Sequence, residues 1–194
     1  SAVCYYGHRF DEEITETSRK GDGFLADLCD SWEKTAFEAE DFGTRVCTLR
    51  IGVVLGREGG FLKQLSLPFK MGIGIYFGNG NQWVPWIHYL DLLRIINLGI
   101  NDESISGPIN CTSPKPVTGK SFAKSLAPIL GAKILVGLPT LCLRLVFGEG
   151  EKVLTSSQKA YPSLLQEKEF QFVHEDLVHA LNEECSPKWV KSPE

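Results

Sequence analysis

The run Arg45–Leu55, RVCTLRIGVVL, constrains this chain more than any other stretch. Val46 to Leu55 is almost continuously apolar, rich in β-branched residues and closed by Gly56. Such a run reads as a strand covered on both faces, the kind that builds parallel sheets. Arg50 stands in its middle, and a cation there needs either a carboxylate or a ligand; the sequence leaves both open. A glycine-rich stretch follows, with Gly72 to Gln82 read as loop, then a short strand Trp83–His88. Tyr89–Ile100 reads as a helix burying Leu90, Leu93, Ile96, Leu98 and Ile100. Strand, irregular excursion, strand and helix is how α/β ligand-binding domains are built near their strand ends.

The rest of the chain alternates in the same way. Ser1–Gly7 reads as a strand running into a loop. Phe24, Leu25, Leu28, Trp32, Ala36 and Phe37 recur at helical spacing, with Asp22 as a candidate N-cap. Phe61–Met71 reads as a short helix broken near Pro68, and Gly107–Cys111 as a strand. Thr118 caps a helix that presents Phe122, Leu126, Ile129 and Leu130 on one face and stops at Gly131. Lys133–Leu138 is a strand, Pro139 opens a helix through Phe147, and Lys152–Tyr161 is helix-like. Phe170–Phe172 alternates as a short strand, Asp176–Glu184 is a last helix, and a loose tail ends in Lys191–Glu194.

Several classes of function are disfavoured. The net charge of −4 over 194 residues, with no dense stripe of Lys or Arg, argues against a nucleic-acid partner. The longest apolar stretch, Ile134–Phe147, is interrupted by Gly137, Pro139 and Arg144, so no membrane partner or span is expected. The six cysteines are scattered without a C-x-x-C, and the four histidines form no H-x-x-x-H pair. Metal is therefore not expected, and buried free thiols point to a reducing, cytoplasmic compartment.

Individual residues carry chemistry in more than one way. Gly72–Gly78 superficially looks like a phosphate-binding loop, but that site needs a strand before it and a helix N-terminus after it. Here the loop leads to Trp83 and Pro85, and is expected to border a pocket instead. His88, three residues before Asp91, is either an acid–base group or a hydrogen-bonded junction residue. Tyr76, Trp83 and Trp86 either line an apolar pocket or pack its lid. Tyr5 and Tyr6 follow the opening strand, where a tyrosine beside a cation can exchange protons. No Gly-x-Ser-x-Gly elbow is present.

Taken together, Ser1–Gly7 (SAVCYYG), Trp32-Glu33, Leu49–Gly56 (LRIGVVLG), Gly78–His88 (GNGNQWVPWIH) and Asp91-Leu92 resemble the second half of the extended short-chain dehydrogenase/reductase superfamily. Gly107–Thr112, Pro114–Thr118, Leu164-Leu165, Phe170–Phe172, Asp176-Leu177 and Ala180-Leu181 fit the same pattern. More narrowly the chain is similar to the atypical, NAD(P)-dependent epimerase family proteins, which are related to the sugar-nucleotide epimerases. The resemblance implies an α/β fold: the C-terminal part of a Rossmann-type parallel sheet over 1–112, with 57–85 contributing to the substrate side, and a small α+β substrate domain over 113–194. It implies NADP(H) or NAD(H) in the full-length form, not held tightly by this chain alone, and a small-molecule substrate reacting by hydride transfer at a carbinol carbon. Ser1 would match the hydroxyl residue beside the nicotinamide, with Tyr5 a second catalytic candidate. Arg50, Gly52, Val53 and Val54 would face the cofactor, and Trp83, Trp86 and His88 the substrate. Two departures stand out. The Gly-rich phosphate turn of the superfamily's first strand and helix has no counterpart in these residues, so the expectation is a chain that opens about halfway through the fold. The acid–base pair Tyr-x-x-x-Lys would fall on Leu25 and Cys29, which cannot do that chemistry. A non-catalytic nucleotide-binding or interaction protein on the same fold is the alternative.

Overall fold

The computed structural model describes residues 1–57 and 59–185, and the expected tail through Lys191–Glu194 lies outside them. The first half contains β1 (Glu13–Ile14), α1 (Phe24–Phe37), β2 (Cys47–Ile51), β3 (Val53–Leu55), α2 (Gly60–Lys70), β4 (Ile73–Phe77), β5 (Trp83–Val84), β6 (Trp86–His88) and α3 (Tyr89–Asn101). There follow β7 (Gly107–Cys111), β8 (Val117–Thr118), α4 (Gly119–Leu130), β9 (Ile134–Leu138) and α5 (Thr140–Phe147). The described residues close with α6 (Glu151–Thr155), β10 (Lys159–Ala160), α7 (Ser163–Glu167) and α8 (Leu177–Cys185).

The architecture is α/β, and the strand pairs are parallel except β5 with β8. The long apolar run is one strand with two partners. Its first part, β2, pairs with β7 from Cys47↔Gly107 to Ile51↔Cys111, and Ala2 bridges Ile51. Its second part, β3, pairs with β6 from Val53↔Trp86 to Leu55↔His88. The change of partner happens at Gly52. A β-carbon there would stand 2.2 Å from the Pro85 carbonyl oxygen, so only glycine lets the two backbones meet.

Two cores flank this strand. Ile87, Ile95, Ile105, Ile109, Cys111 and Leu165 fill the space between β2, β7 and α3. Leu55, Leu62, Leu65, Phe69, Trp86, Phe122, Leu126, Leu177 and Leu181 join α2, α4 and α8 over β3 and β4. The α4 caps form as their residues dictate: Thr118 Oγ1 accepts the Ser121 N–H, and Gly131 takes the left-handed conformation at φ 80°.

Several expectations are corrected. Gly72–Gln82 is not all loop: Ile73–Phe77 is β4, paired with β9. Its glycine is a packing feature, since a β-carbon on Gly74 would meet Leu135 Cδ2 at 2.5 Å. Trp83–His88 is two short strands, split at Pro85, which lacks the N–H a continuous ladder needs. Pro68 does not break α2, which runs on to Lys70. Gly23, not Asp22, is the N-cap of α1. The buried stripe of α3 is Asp91, Ile95 and Gly99, whereas Leu93 and Ile100 are exposed; a carboxylate with backbone partners takes the place of the expected Leu/Ile face. Residues 170–172 are irregular, and 152–161 divides between α6 and β10. No helix among the described residues is long and apolar enough to cross a membrane.

Candidate functional site

Where the strand changes partners a cavity of about 380 Å³ opens. Ala2, Val3, Cys4 and Ile51–Val54 form the wall on the sheet side. The opposite wall comes from Phe61 and Leu65 of α2, Ile75–Phe77 of β4, and Phe122 and Ala123 of α4. Gln82, Trp83, Val84 and Pro85 close one end, and Val153, Leu154, Ser156 and Gln158 another. Crevices of this type, beyond the carboxyl ends of parallel strands where neighbours diverge, are where α/β proteins bind ligands. A second, more polar cavity of about 510 Å³ adjoins it through Phe77 and Gln82. His8, Asp11, Asn79, Asn81, Thr140, Thr155 and Ser157 contribute to its lining.

Of the sequence-derived candidates, Gly52, Val53, Val54, Tyr76 and Trp83 line the apolar cavity. The rest are placed elsewhere. Arg50 is 4 % exposed and forms a two-pronged pair with Glu33, at 2.9 Å from Nε and 2.7 Å from Nη2. Its Nη1 donates to the Tyr6 hydroxyl at 2.8 Å, and that hydroxyl donates to Asn110 Oδ1 at 2.7 Å. Burial pushes the Tyr6 phenol up to about 12 despite Arg50 beside it. Ser1 Oγ donates to Glu33 Oε1 at 2.6 Å, and the Tyr5 ring lies 3.6 Å from the Arg50 guanidinium carbon. Ser1, Tyr5 and Arg50 thus join one cluster, held by an ion pair, and none of the three lines the cavity. Trp86 is wholly buried and donates its indole N–H to the Lys115 carbonyl at 3.1 Å.

His88 sits in a different network. Its Nδ1 accepts the Leu90 N–H at 3.3 Å, capping α3, which leaves Nε2 to donate to Glu184 at 3.1 Å. The ring stacks on His174, centroids 3.6 Å apart and planes 22° from parallel. His174 Nε2 meets Glu183 at 2.8 Å. Asp91 accepts the backbone N–H groups of Val173 and His174, at 2.9 and 2.8 Å. Burial, and then the neighbouring His174, hold the His88 imidazole below its ordinary pKa. Nitrogen and oxygen atoms of His88, His174 and Glu183 come within 4.8 Å of one another. Stacked rings, however, send their in-plane lone pairs side by side, and a metal needs them to converge. The network is a brace that pins α8 and residues 173–174 onto β6 and α3.

Sequence reasoning missed Gln82, Cys4 and the α2 and α4 side chains of the cavity. Nothing local marks them, because three elements far apart in sequence bring them together. Glu33 carried a usable signal: Ala26, Cys29 and Glu33 share the buried stripe of α1, and a carboxylate on such a stripe needs a cation.

The lining fits one end of a nicotinamide cofactor. Uncharged, largely apolar walls suit a flat aromatic ring. Among the described residues no Lys or Arg lines either cavity, but the first residues of α2, Gly60 and Phe61, line the apolar one and Thr140 at the start of α5 lines the polar one; a helix N-terminus is the other group that takes a phosphate.

A parallel α/β sheet with a ligand crevice at its dividing strand defines a Rossmann-like, nucleotide-cofactor class of fold, and the comparisons place the chain within it. Residues 138–184 match the family model described as a domain of unknown function, DUF1731. The chain is 37% identical over 183 residues to the epimerase family protein ML0860 of Mycobacterium leprae, covering 94% of this chain and 60% of that one. A crystal structure of the human epimerase family protein SDR39U1 (isoform 2) with NADPH superposes with a TM-score of 0.89 at 33% identity, over 95% of this chain and 63% of that one. The nucleoside-diphosphate sugar epimerase of Corynebacterium glutamicum gives a TM-score of 0.78 at 36% identity, over 96% and 36%. The chain is a homologue of the epimerase family proteins, with the fold of the NAD(P)-dependent short-chain dehydrogenase/reductase-like epimerases. It spans 53–60% of the length of the curated relatives it matches.

Proposed function

We propose that this chain forms the nicotinamide end and the substrate side of an NAD(P)-dependent oxidoreductase of the epimerase type. The observation that carries the reading is the cavity at Gly52, where the backbone of residues 52–54 faces helices α2 and α4 across an uncharged space. When bound, the cofactor would supply hydride transfer to or from a carbinol carbon. Gly52, Val53 and Val54 would hold the ring face. Phe61, Leu65, Phe122 and Ala123 would exclude water from the reacting carbon, and Gln82 would offer it a polar partner. The human relative's structure with NADPH supports the cofactor class. The reduced nicotinamide mononucleotide tests it. It should bind this chain about as weakly as NADPH does, quenching tryptophan fluorescence, and ADP should not bind. Tight binding of ADP would sink the assignment of the cavity to the nicotinamide end.

A second reading, a non-catalytic binding protein on the same fold, draws on a specific observation. Leu25 and the buried Cys29 stand where the acid–base pair would be, and no carboxylate, imidazole or lysine lines the apolar cavity among the described residues. Reduced-nicotinamide binding with no turnover of any carbonyl compound would favour that reading.

A further inference from the structure

We infer that the ligand taken beside the nicotinamide is an uncharged, mainly apolar carbonyl or carbinol compound, and not a nucleoside-diphosphate sugar. The inference rests on the cavity reading above and names its substrate class.

The cavity's character carries the argument. Its substrate wall is hydrocarbon: Phe61, Leu65, Ile75, Phe77, Phe122 and Ala123. Among the described residues its titratable side chains are a thiol, Cys4, and a phenol, Tyr76; neither is a cation. Burial raises the Cys4 thiol, which keeps it protonated and uncharged. Lys120, next to Gly119 on α4, holds its ammonium 5.5 Å from the Tyr76 ring centroid and is not part of the lining. A diphosphate placed here would meet no Lys or Arg among the described lining residues, only the first turn of α2 at Gly60 and Phe61, and against a wall that is otherwise hydrocarbon most of its lost hydration would go unreplaced.

The adjoining polar cavity suits a hydroxyl or carbonyl better than a diphosphate. Among the described residues its charged group is a carboxylate, Asp11, held by the Trp83 indole N–H at 2.8 Å. His8 Nδ1 accepts the Ser157 N–H at 3.1 Å, which leaves Nε2 as the ring's N–H donor. Asn79, Asn81, Thr140 and Thr155 offer neutral hydrogen bonds, which suit a hydroxyl or carbonyl. Gln82 stands between the two spaces and lines both. Its side-chain amide makes no hydrogen bond with another described residue. An amide can donate to a carbonyl and accept from a hydroxyl, so it can hold the reacting oxygen in either oxidation state.

The test is equilibrium binding to this chain, read by thermal shift and tryptophan fluorescence, with benzylacetone and methyl nonyl ketone against UDP-glucose and UDP. The ketones should bind saturably and the nucleotides should not. Gln82→Leu should weaken benzylacetone about three- to tenfold, the worth of one hydrogen bond, and leave butylbenzene unchanged. Ala123→Phe should fill the cavity and abolish ketone binding. Should that variant fail to fold, Val153→Asp, at a half-exposed rim position, should weaken it instead. Saturable UDP-glucose binding that displaces benzylacetone would overturn the inference, as would a folded chain that binds reduced nicotinamide mononucleotide but no ketone. Ketone binding without nicotinamide binding would remove the cofactor reading and keep the ligand class.

Discussion

The Pro85 carbonyl oxygen accepts the Val53 N–H at 2.6 Å and lies 2.2 Å from where a β-carbon of Gly52 would stand. This contact joins the two strand ends at the point where the cavity opens.

Gly52→Ala should therefore strain backbone against backbone, which no rotamer change relieves. Urea unfolding should show a loss of about 1–3 kcal/mol, the usual cost of overpacking. An unchanged midpoint would mean that the strand can separate there without penalty.

The Arg50–Glu33 pair is buried on both sides, 4 % and 5 % exposed. Removing one partner strands a charge in the interior. Glu33→Gln and Arg50→Met should each cost about 3–5 kcal/mol, and the double variant clearly less than their sum. A double-mutant cycle measures the coupling, and simple additivity would refute the pair's importance.

Acid should destabilise the fold through the histidine brace. The folded His88 has a pKa depressed below its ordinary 6.5. As pH falls below 6.5, the unfolded chain takes up a proton that the folded one refuses, so stability drops. Glu183, held below its ordinary 4.5 chiefly by the His174 hydrogen bond, adds a further loss as pH falls through its folded pKa. Denaturation curves between about pH 7 and pH 5 should show this slope, and His88→Gln should flatten it.

At the alkaline side the sign reverses. Tyr6 keeps its proton to about 12 in the fold but to 10 in the unfolded chain, so stability is lost as pH rises above 10. In an ultraviolet difference titration one of the five tyrosines should ionise late, and Tyr6→Phe should remove that step.

Much of the architecture was readable because period and punctuation act locally. β7 is present with the expected bounds, and the Thr118 and Gly131 caps bound α4 as expected. Tertiary pairing decided the rest. Gly52 splits one apparent strand because two different neighbours claim its halves, which no local pattern encodes. Glycines in Gly72–Gly78 resemble a loop by composition, yet Gly74 exists so that β9 can approach. Arg50 was legible as a charge needing company. Its partner sits 17 residues earlier on a helix, and the carboxylate on the buried stripe of α1 was the overlooked clue. The cavity was legible as a region only, since its walls come from α2, α4 and residues 153–158.

The brace around α8 also has a mechanical meaning. Arg57, just beyond β3, donates to the carbonyls of Glu183 and Glu184 at the helix's end, at 2.8 and 3.1 Å. His88, at the end of β6, grips the Glu184 side chain. One helix end is thus tethered to both members of the β3–β6 pair, and β3 is a wall of the cavity. The two short tethers fix the position of the α8 end relative to the cavity wall that Val53 and Val54 form.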